Sequence, residues 1–430
     1  MTPAAIPPMS DSVFALTLAL LLLAPLAIAG VALVNTGLGR SRSAAQSILG
    51  CLGIVAVAAV VFAMLGATFT SSPEGAGHSF LLVDKHWNWL GAGPWMLGEL
   101  NSDSPRSQLA LLFEFLSVAL TALIPWGSGA ERLRLTVGCA VAALLSALVF
   151  PLAAHWIWGG GWLAQLGVNF GLGAGFLDGG GAATVHMIGG LSALTVVWIA
   201  GPRKGKFPKE GLATAMPGHN TVAVLFGCLL ALVGWMAWNV AGAILWLHAP
   251  NSALAGTALN TLLSASMALI AAFTVTRIRF GKPDASICAN GWLAGLVASS
   301  AGAGLISPAA ALLVGLVAGL ATPLLVELLE LALSIDDPSG AVSVHAGGGL
   351  WGILAVGLFA PPAGQLLAQL VGIAALLGLA LPLIYLLFRM LDRVLPFGAN
   401  EEGERLGMDL HELGGSAYPE FVIHRDESQR

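Results

Sequence analysis

The residues best suited to chemistry are two histidines, each carried in the same local motif. One copy runs from Asp178 through GGGAATV to His186, and the other runs from Asp337 through PSGAVSV to His345. An imidazole ring can donate from one nitrogen and accept at the other, and its ordinary pKa of about 6.5 lets it exchange a proton readily. A pair of such rings could relay protons or offer hydrogen bonds to a small solute.

The surroundings of these histidines are almost entirely apolar. Of the 430 residues, 57% are hydrophobic and only 10% are charged. Ionisable groups inside a membrane are energetically expensive, so a duplicated ionisable motif is a candidate functional site. The alternative is that the histidines only hydrogen-bond neighbouring helices together.

Runs of about 20 apolar residues, long enough for a helix to cross the hydrocarbon layer, recur along the chain. We therefore predict an all-α polytopic membrane protein with eleven transmembrane helices. The abundance of glycine, at 55 residues, suits helices that pack backbone to backbone. The predicted spans are residues 12–34, 44–68, 107–127, 135–158, 182–201, 220–247, 254–276, 286–303, 307–333, 341–360 and 366–394.

Basic residues are distributed unevenly between the loops, although the net charge is only −5. If the N-terminus lies outside, 16 of the 18 Lys and Arg residues fall in the inner loops or the tail, and only Lys85 and Arg106 fall outside. The positive-inside rule then predicts an N-out, C-in orientation. The inner set is Arg40, Arg42, Arg132, Arg134, Arg203, Lys204, Lys206, Lys209, Arg277, Arg279, Lys282, Arg389, Arg393, Arg405, Arg425 and Arg430.

This orientation makes the duplicated motif part of an inverted repeat. Asp178 precedes span 5 on the outside and Asp337 precedes span 10 on the inside, so spans 1–5 and 6–10 are predicted to be related by an axis in the membrane plane. Eight residues of helix rise about 12 Å, which carries His186 and His345 towards the middle of the membrane. We divide the chain into a transmembrane domain, 1–396, and a cytoplasmic tail, 397–430.

Several other classes of function find little support. The first residues carry no Lys or Arg, so no signal peptide is expected and the first span is retained. Neither the cysteines nor the histidines have the spacing of a metal site, which argues against a metalloenzyme. We expect no cofactor, no bound metal and no nucleic-acid partner. The four cysteines, Cys51, Cys139, Cys228 and Cys288, are expected to be small buried apolar residues.

The chain resembles ammonium transporters of the Amt/Mep/Rh family along nearly its whole length. The most specific stretch is LDGGGAATVHMIGG at the start of span 5. The other motifs that carry the resemblance are GAERLR (129–134), HWIWGGGWLA (155–164), GHN (218–220), VGWMAWN (233–239), DDPSGAVSVHAGGG (336–349) and EEGERLGMDLHELGGSAY (401–418).

This resemblance implies a homotrimer in the cell membrane, with a hydrophobic pore for ammonia in each subunit. His186 and His345 would be the paired pore histidines, and Asp178 would be the aspartate near the outer mouth. Trp158 would recruit ammonium through its indole face, or would only anchor the interface. The tail would help to position a PII-type signalling protein. A sensor that binds ammonium and transports little is the alternative function.

The sequence also departs from the family pattern at the outer mouth. Ser117 and Trp238 stand where two stacked phenylalanines usually close the pore, and Phe113 lies nearby at another helical angle. Gly242 stands in place of the recruitment-site serine. The loop before Asp178 is longer than usual, with NFGLGAGF inserted, and Glu114 replaces a common amide.

Two residues at the outer mouth keep two interpretations each. Asp178 could cap span 5 by accepting backbone N–H bonds, could place negative charge near ammonium, or could do both. Trp238 could act as lid and ammonium contact in place of the missing ring, or could only pack spans 6 and 3 together. Asp336 and Asp337 are most simply the cap of span 10, and Glu131 and Arg132 are expected to form an ion pair or an interface.

Overall fold

The structure is a computed structural model that describes residues 9–70, 77–98, 104–361 and 364–421. Within these ranges, ten helices are long and apolar enough to cross a membrane, and an eleventh apolar helix is shorter. The helices in chain order are α1 (Asp11–Leu38), α2 (Ser41–Thr70), α3 (Pro105–Ser128), α4 (Leu135–Ile157), α5 (Ala182–Ala200), α6 (Thr221–Leu245), α7 (Asn251–Phe280), α8 (Ala285–Ser299), α9 (Pro308–Ala332), α10 (Val342–Phe359) and α11 (Gln365–Val394).

The predicted class, a helical polytopic membrane protein, is confirmed. The count of eleven spans and the orientation stay predictions, since α8 has only 15 residues, about 22 Å of helix. After Ser299 the backbone leaves the helix and turns towards the segment that precedes α5. There the carbonyls of Ser300 and Ala301 accept hydrogen bonds from the N–H groups of Gly180 and Gly179. Irregular backbone of this kind is tolerated at membrane depth where it is buried in protein.

Glycines let equivalent helices of the two halves touch through their backbones. A Cβ on Gly30 of α1 would lie 2.5 Å from the carbonyl oxygen of Gly227 of α6, and a Cβ on Gly227 would lie 2.6 Å from that of Gly30. The helices α5 and α10 cross equally closely, at Gly190 and Gly349. Small residues at such crossings are how membrane helices gain packing energy without a hydrophobic driving force.

A β-hairpin that the sequence analysis did not anticipate lies between α2 and α3. Strand β1 (Gly77–Leu82) pairs antiparallel with β2 (Lys85–Gly91). The hairpin packs on the end of α4, where the side chain of Asn88 lies 3.1 Å from the imidazole Nε2 of His155. Its aromatic side chains pack against those around the end of α4, with Trp89 and Trp156 ring centroids 5.0 Å apart.

A buried ion-pair network joins the loops on the opposite face of the bundle. Arg203, after α5, donates to Asp336 at 2.9 Å and to Glu131 at 2.6 Å. Arg132 also pairs with Asp336, and Arg40 pairs with Glu131. Glu131 and Arg132 therefore bond to other loops rather than to each other. Burial alone would raise the pKa of Asp336, but hydrogen bonds from Arg203 and the charges of both arginines hold it below its usual range.

The described part of the tail, as far as residue 421, is docked against the same face. Asp409 accepts hydrogen bonds from the backbone N–H groups of Ala45 and Gln46 at the start of α2. Glu412 accepts from the backbone N–H of Leu135 at the start of α4. Two tail carboxylates thus cap two transmembrane helices, where the helix dipole favours negative charge. The remaining tail residues, 422–430, lie outside the described residues.

We expect Glu131→Gln to lower the free energy of unfolding by about 2–3 kcal/mol, because it removes the buried carboxylate that binds both Arg40 and Arg203, although Asp336 still pairs with Arg203. Glu401→Gln is the matched control, since Glu401 is exposed and its pair with Lys204 should contribute less than about 1 kcal/mol. Thermal unfolding of the two variants in detergent measures the difference. Equal melting temperatures would show that the buried network adds no stability.

Candidate functional site

The first turn of α5 is built around Asp178. Its carboxylate oxygen Oδ2 accepts from the backbone N–H groups of Ala183 and Thr184 and from the hydroxyl of Thr184, at 2.9–3.0 Å. Gly181, with φ of +87°, turns the chain into the helix, which opens with a wide π-helical turn at Ala182–Met187. A positive φ of this kind favours glycine. The capping geometry expected for Asp178 is therefore present.

The second copy of the motif repeats this geometry at the start of α10. The Oδ2 of Asp337 accepts from the backbone N–H of Val342 at 2.8 Å, Gly340 has φ of +69°, and the helix also opens with a π-helical turn. The hydroxyl of Ser128 donates to the other carboxylate oxygen of Asp337 at 2.7 Å. Of the two aspartates expected to cap this helix, Asp337 does so, whereas Asp336 binds the arginines of the ion-pair network.

His186 and His345 meet between the two helices. Their Nδ1 atoms are 3.2 Å apart, and their rings are nearly parallel with centroids 5.2 Å apart. Both side chains are buried, with residue exposures of 1% and 3%. Since a hydrogen bond between two Nδ1 atoms needs one donor and one acceptor, the neutral pair holds its two rings in different tautomers.

The indole of Trp235 fixes the plane of the His186 ring. The two rings stack with centroids 5.0 Å apart and an interplanar angle of 15°. Trp235 is held in turn by its Nε1–H, which donates to the hydroxyl of Ser300 at 2.9 Å. The segment VGWMAWN contains both Trp235 and Trp238, and the sequence-based prediction named only Trp238. The available signal was the spacing of three residues, which places Trp235 and Trp238 on one face of α6.

A cavity of about 360 Å³ lies beside the end of α4, and we call it the vestibule. Trp158, the residue after α4, lines it and donates from its indole N–H to the backbone carbonyl of Asp178 at 2.6 Å. Asp178 also lines the vestibule, so the two predicted outer-mouth residues are brought together. The other charged or titratable residues that line it are Arg106 and His248.

Aromatic side chains fill the space around Trp158. Trp246 stacks on Trp158 with centroids 5.1 Å apart and an angle of only 5°. Phe113 meets Trp158 and Trp238 edge to face, with centroids 5.4 Å and 5.3 Å apart. Phe113 is therefore central to the cluster. Ser117 is fully buried and donates its hydroxyl to the carbonyl of Phe113, so it does not line the vestibule.

Trp246 is the second residue that sequence reasoning missed, and it occupies the position expected of Trp238. Trp246 lines the vestibule, whereas Trp238 is 3% exposed and does not. The indole N–H groups of both have no hydrogen-bond partner among the described residues. The position of Trp246 depends on how the chain leaves α6. The helix ends at Leu245, and the next residue, Trp246, stacks on Trp158.

Asp178 is the one acidic residue among the described residues that line the vestibule. Burial raises the pKa of its carboxyl to about 6, against hydrogen bonds from Thr184 and neighbouring N–H groups that lower it. Its Oδ1 atom has no hydrogen-bond partner among the described residues. Among these residues, no group of three His, Cys, Asp or Glu side chains could hold a metal ion. The vestibule therefore offers one carboxylate and several indole faces, a combination that suits a small organic or ammonium-like cation.

The inserted loop forms one wall of the vestibule and is tethered to α11. The side chain of Gln365 accepts from the N–H of Ala174 and donates to the carbonyl of Gly175. Gln369 bonds in the same way to both backbone groups of Leu177. The additional residues are thus an ordered part of the vestibule wall. Glu114, the other departure, is buried on α3 and hydrogen-bonded to the Thr70 side chain.

The sequence model of the Ammonium Transporter Family matches residues 13–418. Ammonium transporter Amt2 of Archaeoglobus fulgidus is 31% identical over 421 residues, covering 93% of this chain and 86% of that protein. An ammonium transporter of Bacillus subtilis is 29% identical, covering 96% of this chain and all of that protein.

Solved structures share the fold. A structure titled Sensor Amt Protein superposes with a TM-score of 0.84 at 26% identity, covering 93% of this chain and 97% of that one. Mep2 of Candida albicans superposes with a TM-score of 0.76 at 23% identity, covering 95% of this chain and 90% of that one.

The structure gives Gly242 a steric role, which leads to a test. A Cβ at this position would lie 2.2 Å from the carbonyl oxygen of Gly179, so α6 and the segment before α5 touch through their backbones. We expect Gly242→Ser to destabilise the fold by about 1–3 kcal/mol through this overlap. Gly256→Ser is the matched control, because a Cβ on Gly256 of α7 meets nothing within 4 Å. Thermal unfolding in detergent compares them, and an unchanged midpoint for Gly242→Ser would contradict the steric role.

Proposed function

The chain belongs to the ammonium transporter family, and on that premise we propose that it moves ammonium or ammonia across a membrane through the path between the vestibule and the histidine pair. The observation that carries this proposal is the contact of His186 with His345, buried between α5 and α10. The matching of residues 13–418 to the family model supports the substrate class. The chemistry needs no cofactor and no enzymatic step.

Recruitment begins at the vestibule. An ammonium ion that leaves water loses its hydration, and this loss must be offset by nearby negative or polarisable groups. The carboxylate of Asp178 and the indole face of Trp158 both line the vestibule and supply such groups. A cation over an indole gains about 0.5–2 kcal/mol, depending on desolvation. Asp178 therefore combines two roles, as cap of α5 and as negative charge for the recruited ion.

Beyond the vestibule the path favours the neutral species. Phe113 and Trp238 beside the vestibule and Trp235 on the His186 ring are buried aromatic side chains, and a bare cation among them would be far less stable than ammonia. Ammonium can leave its proton behind, whereas a potassium ion cannot. Selectivity then follows from proton transfer rather than from the diameter of the pore.

The histidine pair provides hydrogen-bonding nitrogen atoms within this apolar region. One ring donates its Nδ1–H to the Nδ1 of the other, so each ring keeps its Nε2 for a passing solute. One Nε2 carries a proton and the other does not, which lets the pair both donate to and accept from ammonia. Transfer of the shared proton between the two Nδ1 atoms swaps these roles when one Nε2 takes up a proton and the other Nε2 releases one, and this sequence relays one proton across the pair.

The assembly we propose is a homotrimer in the cell membrane, with a cytoplasmic tail that helps to position a PII-type protein. Support for burial in lipid or against other copies comes from large apolar side chains on the outer faces of the helices, such as Leu22, Leu52 and Val222, which are 68–78% exposed. Support for the tail comes from Asp409 and Glu412, which tie it to the ends of two transmembrane helices.

A second candidate function, an ammonium sensor with weak transport, is favoured by one specific feature. The rings of Trp158, Trp246, Phe113 and Trp238 pack closely against one another beside the vestibule. A receptor that binds ammonium in the vestibule and passes little of it would have this geometry. The likeness to the Sensor Amt Protein is consistent with such a role.

Flux into liposomes containing the purified protein separates the two functions. We expect saturable ammonium uptake in the native chain, and a changed rate or ion selectivity in His186→Ala and His345→Ala, because each variant removes one ring of the histidine pair. Size-exclusion chromatography should show the native assembly for both variants. Binding of ammonium without flux in the native chain would favour the sensor, and unchanged flux and selectivity in both variants would favour a purely structural role for the histidines.

Two tryptophan variants locate the recruitment contact. Trp158→Leu keeps an apolar side chain but removes the indole face, so we expect the KM for ammonium to rise about 2–30-fold, the equivalent of 0.5–2 kcal/mol. Trp238→Leu tests the sequence-based prediction that Trp238 is also an ammonium contact. An unaltered KM in Trp238→Leu, beside a raised KM in Trp158→Leu, would show that Trp238 only packs α6 against α3.

A further inference from the structure

Arg106 is one of the two basic residues predicted to lie outside, and it lines the vestibule that we propose to recruit a cation. A fixed positive charge at such a place needs an explanation. The Nη2 atom of Arg106 lies 2.8 Å from the carbonyl oxygen of Ile244, 2.9 Å from that of Leu245 and 2.6 Å from the Nδ1 of His248. We call Arg106 and His248 the clamp.

The clamp stabilises the end of α6. The last four carbonyl groups of a helix have no partner within the helix, and a guanidinium can satisfy them while it complements the negative end of the dipole. Arg106 reaches the carbonyls of Ile244 and Leu245 from α3, so it ties the start of one helix to the end of another. This link fixes the direction in which the chain leaves α6.

His248 accepts the third hydrogen bond from Arg106, and this bond requires one protonation state of the imidazole ring. A guanidinium can only donate, so the Nδ1 of His248 must be unprotonated, and the proton of the neutral ring must be on Nε2. His248 also has φ of +50°, which is uncommon for a residue with a side chain and needs support from its surroundings. The contact with Arg106 supplies such support.

Trp246 lies between the two anchored positions. Leu245, just before it, and His248, two residues after it, are both bonded to Arg106. Trp246 itself makes no hydrogen bond through its indole N–H among the described residues, so only packing and its anchored neighbours orient it. Its ring is nevertheless parallel to that of Trp158 within 5°. The clamp therefore determines where the second indole of the vestibule stands.

We propose that Arg106 and His248 are positioning residues for ammonium recruitment: they hold Trp246 against Trp158, and protonation of His248 opens the clamp and weakens recruitment in acid. This inference rests on the proposed function of the vestibule. A protonated His248 loses its lone pair on Nδ1 and places a second positive charge against the guanidinium. Both changes oppose a cation in the vestibule.

The charges around His248 set the direction of the pH effect. Among the described residues that line the vestibule, the charged groups that face it are Arg106 from α3 and Asp178 from the segment before α5. Burial, and then the charge of Arg106, lower the pKa of His248 below its ordinary value. The neutral, clamped state is therefore present at neutral pH and is lost as the pH falls through this lowered pKa.

The test compares ammonium KM against pH in liposomes for the native chain and for His248→Gln. The amide oxygen of glutamine can accept from Arg106 but does not titrate. We expect the native KM to rise as the pH falls through the pKa of His248 and to level off about 5–150-fold higher, the usual range for coupling between two binding events. His248→Gln should lose this part of the rise in KM. Asp178 titrates in both proteins, so the difference between the two curves isolates His248.

Two further variants sharpen the test. His86→Gln makes the same substitution at an exposed position of the hairpin, and it should behave as the native chain at every pH. Arg106→Lys keeps the positive charge but loses the guanidinium fork, so it should raise KM at neutral pH. Parallel KM curves for the native chain and His248→Gln would overturn the clamp, as would native behaviour of Arg106→Lys.

A measurement independent of flux separates failure of the clamp from failure of the proposed function. The ¹⁵N spectrum of histidine, taken as the difference between the native chain and His248→Gln, should show a neutral Nε2–H tautomer at pH 7 that titrates in acid. That tautomer with no ammonium uptake at any pH would overturn the transport function while upholding the clamp. A neutral Nδ1–H tautomer would overturn the clamp whatever the flux.

Discussion

The close backbone contact between α5 and α10 is the interaction on which the arrangement of the histidine pair depends. A Cβ on Gly190 would lie 2.2 Å from the backbone N of Ala346, and a Cβ on Gly349 would lie 2.5 Å from the carbonyl oxygen of Ala182. Each histidine stands four residues, about one helical turn, before one of these glycines. The crossing therefore places the two imidazoles beside each other, and a larger residue at either glycine would separate them.

Many of the ionisable side chains lie at the ends of helices. Helices that start inside the protein leave N–H groups that neither lipid nor water can satisfy. Asp178 and Asp337 accept these bonds for α5 and α10. On the opposite face, Asp336 and Arg203 neutralise each other and tie the loops together. Ionisable groups are thus concentrated where helix ends must be satisfied, which keeps the spans themselves apolar.

Residues at the vestibule contribute both to the packing of the helices and to the lining of the cavity. Asp178 caps a helix with one carboxylate oxygen and also lines the cavity, and its other oxygen has no hydrogen-bond partner among the described residues. Gly242 leaves no room for a side chain because the backbone of Gly179 occupies that space. In the proposed function, the vestibule binds a cation without a hydroxyl group at this position. Stacked indoles are a chemically reasonable substitute, because their faces attract cations and their bulk excludes water.

The sequence by itself determined the membrane class, the duplicated motif and the identity of the paired histidines. These follow from local quantities: apolar run length, and a repeat of residue types at fixed spacing. It also placed Asp178 and Trp158 at one mouth. It did not indicate the β-hairpin, because β1 and β2 stabilise each other and pack on α4 rather than showing a strong pattern of their own.

Only the tertiary structure decided which residues complete the site. Trp235 and Trp246 look like ordinary apolar residues along the chain, and they gain their positions from contacts with Ser300 and Trp158. Arg106 bonds to the end of α6, 138 residues or more away along the chain. Such contacts join segments that no local pattern connects, since helix packing and the direction of the chain after each helix are properties of the whole bundle.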